Sequence, residues 1–264
     1  MRSLSAGRCA GVLIWGIAVV LAGAAPAVAA ECPDAGAEIA TDRPDVTNSS
    51  LVVPTGSLQA ENGINLVGRG GSRAVDGTNT RLRLGIAECL EILFDAPTYF
   101  GRLRGARGSG FSDAAPAVKR QLEGLPEGFS LSATAGLGLP TGDRRIAGRG
   151  YGPYLQFPWA QALAGGWRLS GMFTGTVRPS EPADKLVQAT FVIEREIGPH
   201  ADLFVEYVGD YPNVGRASHL INAGGAYRVT RTQQVDFHLG GGLNHAAPGY
   251  FFGLGYSIRF DGLF

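Results

Sequence analysis

Cysteine and histidine are scarce in this sequence, with three and four copies in 264 residues, and the histidines at 200, 219, 238 and 245 show no metal-ligand spacing. Charge is scarce too. Asp, Glu, Lys and Arg make up 17% of the chain, and 23 basic side chains are balanced by 23 acidic ones. That balance argues against a nucleic-acid binder, a charged disordered polymer and a coiled coil. Past the N-terminus no run approaches the ~18 apolar residues of a spanning helix, which excludes a helical membrane protein. What the chain has in plenty is glycine, 40 residues, together with 45% hydrophobic and 9% aromatic side chains. Glycine at roughly twice its usual share, with ample apolar mass, fits one all-β domain of up to about 250 residues.

Arg2 and Arg8 precede an apolar run from Ala10 to Ala25, and Ala27-Val28-Ala29 then supplies small residues for a signal peptidase. The pattern predicts a cleaved signal peptide over residues 1–30. A retained anchor is the alternative, which the small-residue site disfavours. Cleavage removes Cys9 and both arginines, leaving two more acids than bases. Cys32 and Cys89 then stand in an oxidising compartment, where spacing alone leaves a bridge or two free thiols open. No cysteine lies at the cleavage point, as a lipoprotein would need.

Beyond residue 56 the signal is period two. Tyr250, Phe252, Leu254, Tyr256, Ile258 and Phe260 share one face, against Phe251, Gly253, Gly255, Ser257 and Arg259 on the other. The same split recurs at Val235, Phe237 and Leu239, at Leu203, Val205 and Tyr207, and at Leu82, Leu84 and Ile86. About twelve such strands are expected: 57–67, 79–87, 89–95, 115–122, 129–139, 150–159, 165–175, 187–197, 201–209, 219–229, 232–241 and 249–260. The weakest is 150–159, where Pro153 and Pro158 each remove a ladder donor.

Short turns near Glu88, 124–127, 160–164, 198–200 and 230–231 alternate with long connections at 68–78, 96–114, 140–149, 176–186, 210–218 and 242–248. An even strand count with that alternation is the pattern of a bacterial outer-membrane barrel with both termini in the periplasm. In hydrocarbon an unpaired backbone group costs several kcal/mol, which a closed ladder avoids. The fold class expected is therefore all-β, a closed antiparallel transmembrane β-barrel over 57–264, preceded by a periplasmic segment or plug over 31–56. A soluble β-sandwich has the same period. Against it stand polar faces rich in Gly, Ser and Thr, the loop alternation, and Phe264 at the C-terminus, similar to the signal read by outer-membrane assembly machinery. Cys32 and Cys89 then share the periplasmic side, where a bridge would staple the segment to the rim. The long loops hold eleven basic residues (Arg69, Arg73, Arg102, Arg104, Arg107, Arg144, Arg145, Arg149, Arg178, Lys185, Arg216) and six acidic ones. They would attract the phosphates of lipopolysaccharide, or simply form a solvated surface.

Thr41-Asp42-Arg43-Pro44-Asp45-Val46-Thr47, followed by Val53-Pro54-Thr55-Gly56-Ser57-Leu58-Gln59-Ala60-Glu61-Asn62-Gly63, resembles the opening of a family of outer-membrane barrels. That family is labelled as transporters or as "MetA-pathway of phenol degradation" proteins. Glu206-Tyr207, Gln234-Val235-Asp236-Phe237, Gly240-Gly241-Gly242-Leu243-Asn244, Ala247-Pro248-Gly249-Tyr250-Phe251 and Arg259-Phe260 resemble its closing pattern. The resemblance implies an outer-membrane barrel, with uptake of aromatic or other small hydrophobic compounds.

Lumen-lining candidates are Glu61, Arg81, Arg83, Glu91, Lys119, Gln121, Arg168, Glu194, Glu206, Arg228 and Asp236. Mixed charges inside a narrow barrel can orient a permeant and set selectivity, or can pair with one another and fill the interior. Asp42, Arg43 and Asp45 are expected to fold back as a plug or latch, or to be a polar tether. Tyr99, Phe100 and Phe111 offer a collecting surface at the outer mouth or interface anchors. Enzymatic readings fare worse: Ser218-His219 point to opposite faces, His238 beside Asp236 lacks a nearby nucleophile, and the His-x-Ser-Asn-Gly of barrel phospholipases is absent. Gly240-Gly241-Gly242 precedes no helix, so no nucleotide loop is expected. The expected function is passage of small molecules through the lumen with no cofactor and no metal; the alternative is a non-conducting structural or adhesive barrel displaying basic loops.

Overall fold

The computed structural model describes residues 31–104, 108–147, 150–178 and 184–264. The expected signal peptide and the loop residues Arg107 and Arg149 lie outside the described residues. The strands run β1 (Leu58–Arg69), β2 (Ser72–Ala87), β3 (Leu90–Asp95), β4 (Tyr99–Arg104), β5 (Gly110–Phe111), β6 (Ala115–Gln121), β7 (Phe129–Gly138), β8 (Gly152–Ala162), β9 (Trp167–Arg178), β10 (Asp184–Glu196), β11 (Ala201–Pro212), β12 (Ser218–Thr230), β13 (Gln233–Gly242) and β14 (Tyr250–Phe260). Each stave is antiparallel to its neighbours. The ring shuts at β1, which pairs with β14 (Ile64 opposite Leu254) and with β2 (Leu58 opposite Leu84).

Twelve of these strands form the wall. β4 and β5 instead make a hairpin on the outer part of β2, with Ala74 opposite Arg102 and Gly77 opposite Tyr99. Tyr99 and Phe111 pack their rings 5.2 Å apart there, both about half exposed.

One expected long connection is corrected. Over 68–78 the chain does not loop: β1 and β2 continue as a ladder (Leu66 opposite Val75, Gly68 opposite Arg73) and meet at Gly70-Gly71. Both glycines have positive φ, 53° and 85°, as a two-residue hairpin turn requires. Polar residues such as Arg73 and Asp76 fit a strand pair that has risen beyond the hydrocarbon. The doubtful strand at 150–159 forms as β8. Its ladder to β7 lapses between the pairs Leu131–Trp159 and Thr134–Gln156, where Pro158 has no N–H to give.

Alternation sorts the wall into two surfaces. Val205, Phe237, Leu239, Leu254 and Phe260 are between 42 and 54% exposed in the isolated chain and face outward, where lipid would cover them. Inside, Glu61, Arg83, Glu91, Lys119, Gln121 and Glu206 are at most 1% exposed. The interior is thus polar and the exterior oily, the reverse of a sandwich. Val205→Arg places a charge in the middle of β11 on the lipid side and should reduce folding stability in bilayers by about 2–4 kcal/mol. Urea titration of vesicle-folded protein measures it.

Cys32 and Cys89 are joined in a disulfide, with Cα atoms 5.2 Å apart at a sequence separation of 57. The bridge ties the N-terminal segment at Cys32 to the β2–β3 turn. Cys32→Ser should lower stability by about 2–4 kcal/mol, mainly through the loop entropy returned to the unfolded chain. The oxidised and reduced wild type, unfolded side by side, should show the same difference.

Candidate functional site

The N-terminal segment runs into the barrel and is bonded to its wall on nearly every side. It enters at the short-turn end, where Ile39 N–H donates to Arg231 O at 2.8 Å and Arg259 Nη2 to Ala37 O at 2.7 Å. It leaves along β2, where Thr55 bridges Gly85. Gly85 is required there: a Cβ would overlap the carbonyl oxygens of Val53 and Pro54.

Between those points the chain crosses the lumen. On one flank, Asp42 meets Arg81 Nη1 at 2.9 Å, Arg83 Nη1 at 3.4 Å and Lys119 Nζ at 3.4 Å. Arg83 also binds Glu61 at 3.1 Å and Glu91 at 3.0 Å, and Arg81 forks onto Asp95 at 2.6 and 2.9 Å. Burial alone would raise the Asp42 carboxyl; Arg83, Lys119 and Arg81 outweigh it and hold the group well below the usual carboxylate range. Because the shift is downward, the anchoring it gives is complete above the ordinary value of 3.8 and is lost as pH falls through the lowered one.

On the other flank Glu206 forms a cradle. Val46 N–H donates to its Oε2 at 2.9 Å, Thr47 N–H and Oγ1 to Oε1 at 2.9 and 2.8 Å, and Asn222 Nδ2 to Oε2 at 2.9 Å. Further round, Arg43 pairs with Asp236 at 3.2 Å, Asn48 donates to Gln156, Ser50 meets Ser130 at 2.6 Å, and Val52 N–H donates to Gln121 Oε1 at 3.2 Å. Arg43 lies flat on the wall because β1 and β14 present Gly63 and Gly255, where any Cβ would strike its guanidinium.

The eleven lumen candidates therefore fall into groups. Glu61, Arg81, Arg83, Glu91 and Lys119 gather around Asp42. Glu206, Gln121 and Asp236 each bind the segment separately. Arg168 and Glu194 pair with each other at 3.1 Å near the short-turn end, and Arg228 binds Asp202 at 2.5 Å and Glu38 at 3.1 Å. Sequence reasoning missed the neutral partners Gln59, Thr190, Ser130, Gln156 and Asn222, although they share the inward period of the charged ones.

Among the described residues, a cavity lies on each side of the crossing segment. The inner one, about 440 Å³, is bordered by Arg168, Glu194, Glu196, Asp202 and Arg228. The outer one, about 490 Å³, is bordered by Asn65, Asn79, Asp95, Thr98, Asn222, His238 and Phe251. Arg43, Pro44, Asp45 and Asn48 border both. Burial, and then the Glu206 and Glu194 carboxylates, raise the Asp45 carboxyl well above its ordinary value.

No protein of curated function matches this sequence. Among solved structures, an outer membrane channel from Pseudomonas putida F1 is similar over 79% of this chain and 97% of its own, with 15% identity and a TM-score of 0.59. The NanC porin is similar over 77% of this chain and all of its own, with 8% identity and a TM-score of 0.55. The KdgM porin, solved with disordered oligogalacturonate, is similar over 77% and 99%, with 8% identity and a TM-score of 0.53. These likenesses establish the fold, a closed antiparallel β-barrel of the kind that outer-membrane channels and porins have. The family model described as "MetA-pathway of phenol degradation" matches residues 41–260, and the chain belongs to that family.

Proposed function

We propose that the protein is a passive channel for small molecules and that residues 31–56 are its plug, seated in the lumen. The observation that carries this reading is the pair of cavities along the barrel, separated by Arg43 to Asn48 and not by the wall. A barrel filled only for structure would need no cavity on either side of a segment held by polar contacts, which can be exchanged for water. Channels and porins of the same fold support it. The permeant is small and amphiphilic: the outer cavity is mostly polar, yet Phe251, Leu220, Val46 and Pro44 give it an apolar side. The family label adds aromatic compounds as the class to try first.

Around the outer mouth Arg73, Arg102, Arg144, Arg145 and Arg216 are exposed and suit lipopolysaccharide phosphates. Phe264, 75% exposed, is available to the assembly machinery. The channel reading is tested by planar-bilayer conductance together with uptake by a deletion strain. Measurable current and slowed uptake are expected. No current and unchanged uptake would defeat it in favour of a non-conducting structural barrel.

A further inference from the structure

The lipid-facing side of the wall carries a polar cluster where its alternation otherwise sets oily residues. On β11 the outward positions run Leu203, Val205, Tyr207, Gly209 and Tyr211, and Gly209 lies opposite His219 of β12. The tips of the three polar side chains converge. Tyr207 Oη is 2.7 Å from His219 Nδ1 and 3.3 Å from Tyr211 Oη, and the Tyr207 and His219 rings stack with centroids 6.0 Å apart. Gly209 makes room for them: a Cβ there would stand 2.8 and 2.9 Å from the two phenol oxygens. The long connection that joins β11 to β12 puts this cluster at the outer end of the barrel.

Two hydroxyls and one ring N–H give the cluster three donors, and its two internal contacts use two of them. The contact to Tyr211 is also longer than an ordinary O–H···O bond, so that hydroxyl is weakly engaged. At the border of the hydrocarbon an unspent donor is costly, which calls for an acceptor-rich occupant. Charge gives its sign. Lys185 and Arg216 are exposed and form no ion pair among the described residues. Lys185 shares the outward face of β10 with Val187, which lies opposite Tyr211; Arg216 precedes His219 by three residues. The acids of these strand ends are engaged elsewhere, Asp184 with Arg178 at 3.4 Å and Asp210 with Gln188 at 2.8 Å.

The spread of the groups sets the size. From the strand of Lys185 to that of His219 is two strand spacings, about 10 Å, which suits several phosphates on a sugar head better than a single one. Below the polar tips, Phe191 and Ile221 flank Tyr207 on either side, 46 and 45% exposed, as a bed for acyl chains. We propose that the outer end of β10 to β12 is a seat on the lipid-facing wall for lipid A, the phosphorylated diglucosamine anchor of lipopolysaccharide. Its phosphates are taken by the Tyr211 hydroxyl, the His219 ring, Lys185 and Arg216. The assignment rests on the outer-membrane placement of the barrel and not on the channel reading, and it goes beyond a diffuse attraction of phosphates to the arginines around the mouth.

Native mass spectrometry of the full mature chain, released from detergent micelles, tests it with lipid A, with the same lipid stripped of its phosphates, and with phosphatidylglycerol. The wild type should retain lipid A at least tenfold more strongly than either of the others, and millimolar inorganic phosphate should not displace it. Tyr211→Phe combined with His219→Phe should weaken retention tenfold, and Lys185→Gln severalfold. Tyr256→Phe alters a lipid-facing tyrosine at the opposite end of the barrel, bonded to Gln233 at 2.9 Å, and should change nothing. Equal retention of the stripped lipid or of phosphatidylglycerol, displacement by inorganic phosphate, undiminished retention by the double variant, or an equal loss in Tyr256→Phe would overturn the assignment. The ranking of lipids on the wild type decides the matter even if a variant fails to fold. Selective retention of lipid A by a barrel that passes no current would defeat the channel reading alone, and current without that selectivity would defeat this assignment alone.

Discussion

Glu206→Ala should raise single-channel conductance severalfold. The carboxylate takes two backbone N–H groups, one hydroxyl and one amide from the part of the segment that separates the two cavities. Hydrogen bonds to a charged group contribute about 1.5–3 kcal/mol each. Water in the lumen would replace some of them, so the docking of Val46 and Thr47 should weaken by about 3–5 kcal/mol in total. A shift of that size takes the segment from almost always seated to often displaced. Glu206→Gln keeps the shape but offers one accepting oxygen in place of two, and should give a smaller rise. The disulfide at Cys32 stays closed in both variants, so the chain swings on its tether and adding reductant should enlarge the current further. Unchanged conductance in Glu206→Ala would mean that this stretch does not obstruct the path, and the plug assignment would fail.

The wall of the barrel was legible in the sequence because lipid and lumen impose opposite demands on alternate residues. Tyr250 to Phe260 shows this within one strand. Legibility faded where that demand stops: beyond the hydrocarbon, β1 and β2 continue to Gly70-Gly71 through residues with no greasy face, and the period disappears although the ladder does not. The inward charges could be picked out by their period, but their partners could not. Arg43 and Asp236 lie 193 residues apart, and Val46 and Glu206 lie 160 apart, distances at which no local pattern survives. Nor could composition explain the glycines. Gly63 and Gly85 suit a strand poorly by propensity, and the segment pressed against them accounts for their lack of a side chain; at Gly255 Arg43 and the Asp236 carboxylate do so together. The neutral cradle residues were overlooked for a related reason: Asn222 and Ser130 carry no charge to mark them, and their importance lies in what they touch.

Arg83→Ala is expected to show the largest loss of stability of any single lumen change, about 3–5 kcal/mol. The guanidinium is fully buried; it donates to Glu91 and to Glu61, and its Nη1 and Nη2 reach Ala40 O at 2.9 Å and Leu51 O at 2.8 Å. Those two carbonyls belong to the two limbs of the segment, one entering the lumen and one leaving, so Arg83 clasps the base of the loop whose far part rests on Glu206. Removing it leaves Glu61 and Glu91 buried with only Arg81 and Lys119 nearby. Arg83→Lys restores the charge but cannot fork to four acceptors, and should recover less than half of the loss. Urea unfolding in detergent measures both, and a double-mutant cycle with Glu91→Gln should show strong coupling. The two sites then separate by readout. Glu206 should be read out in conductance, whereas Arg83 should be read out in unfolding, because the base of a loop must be fixed before its far part can be either seated or released.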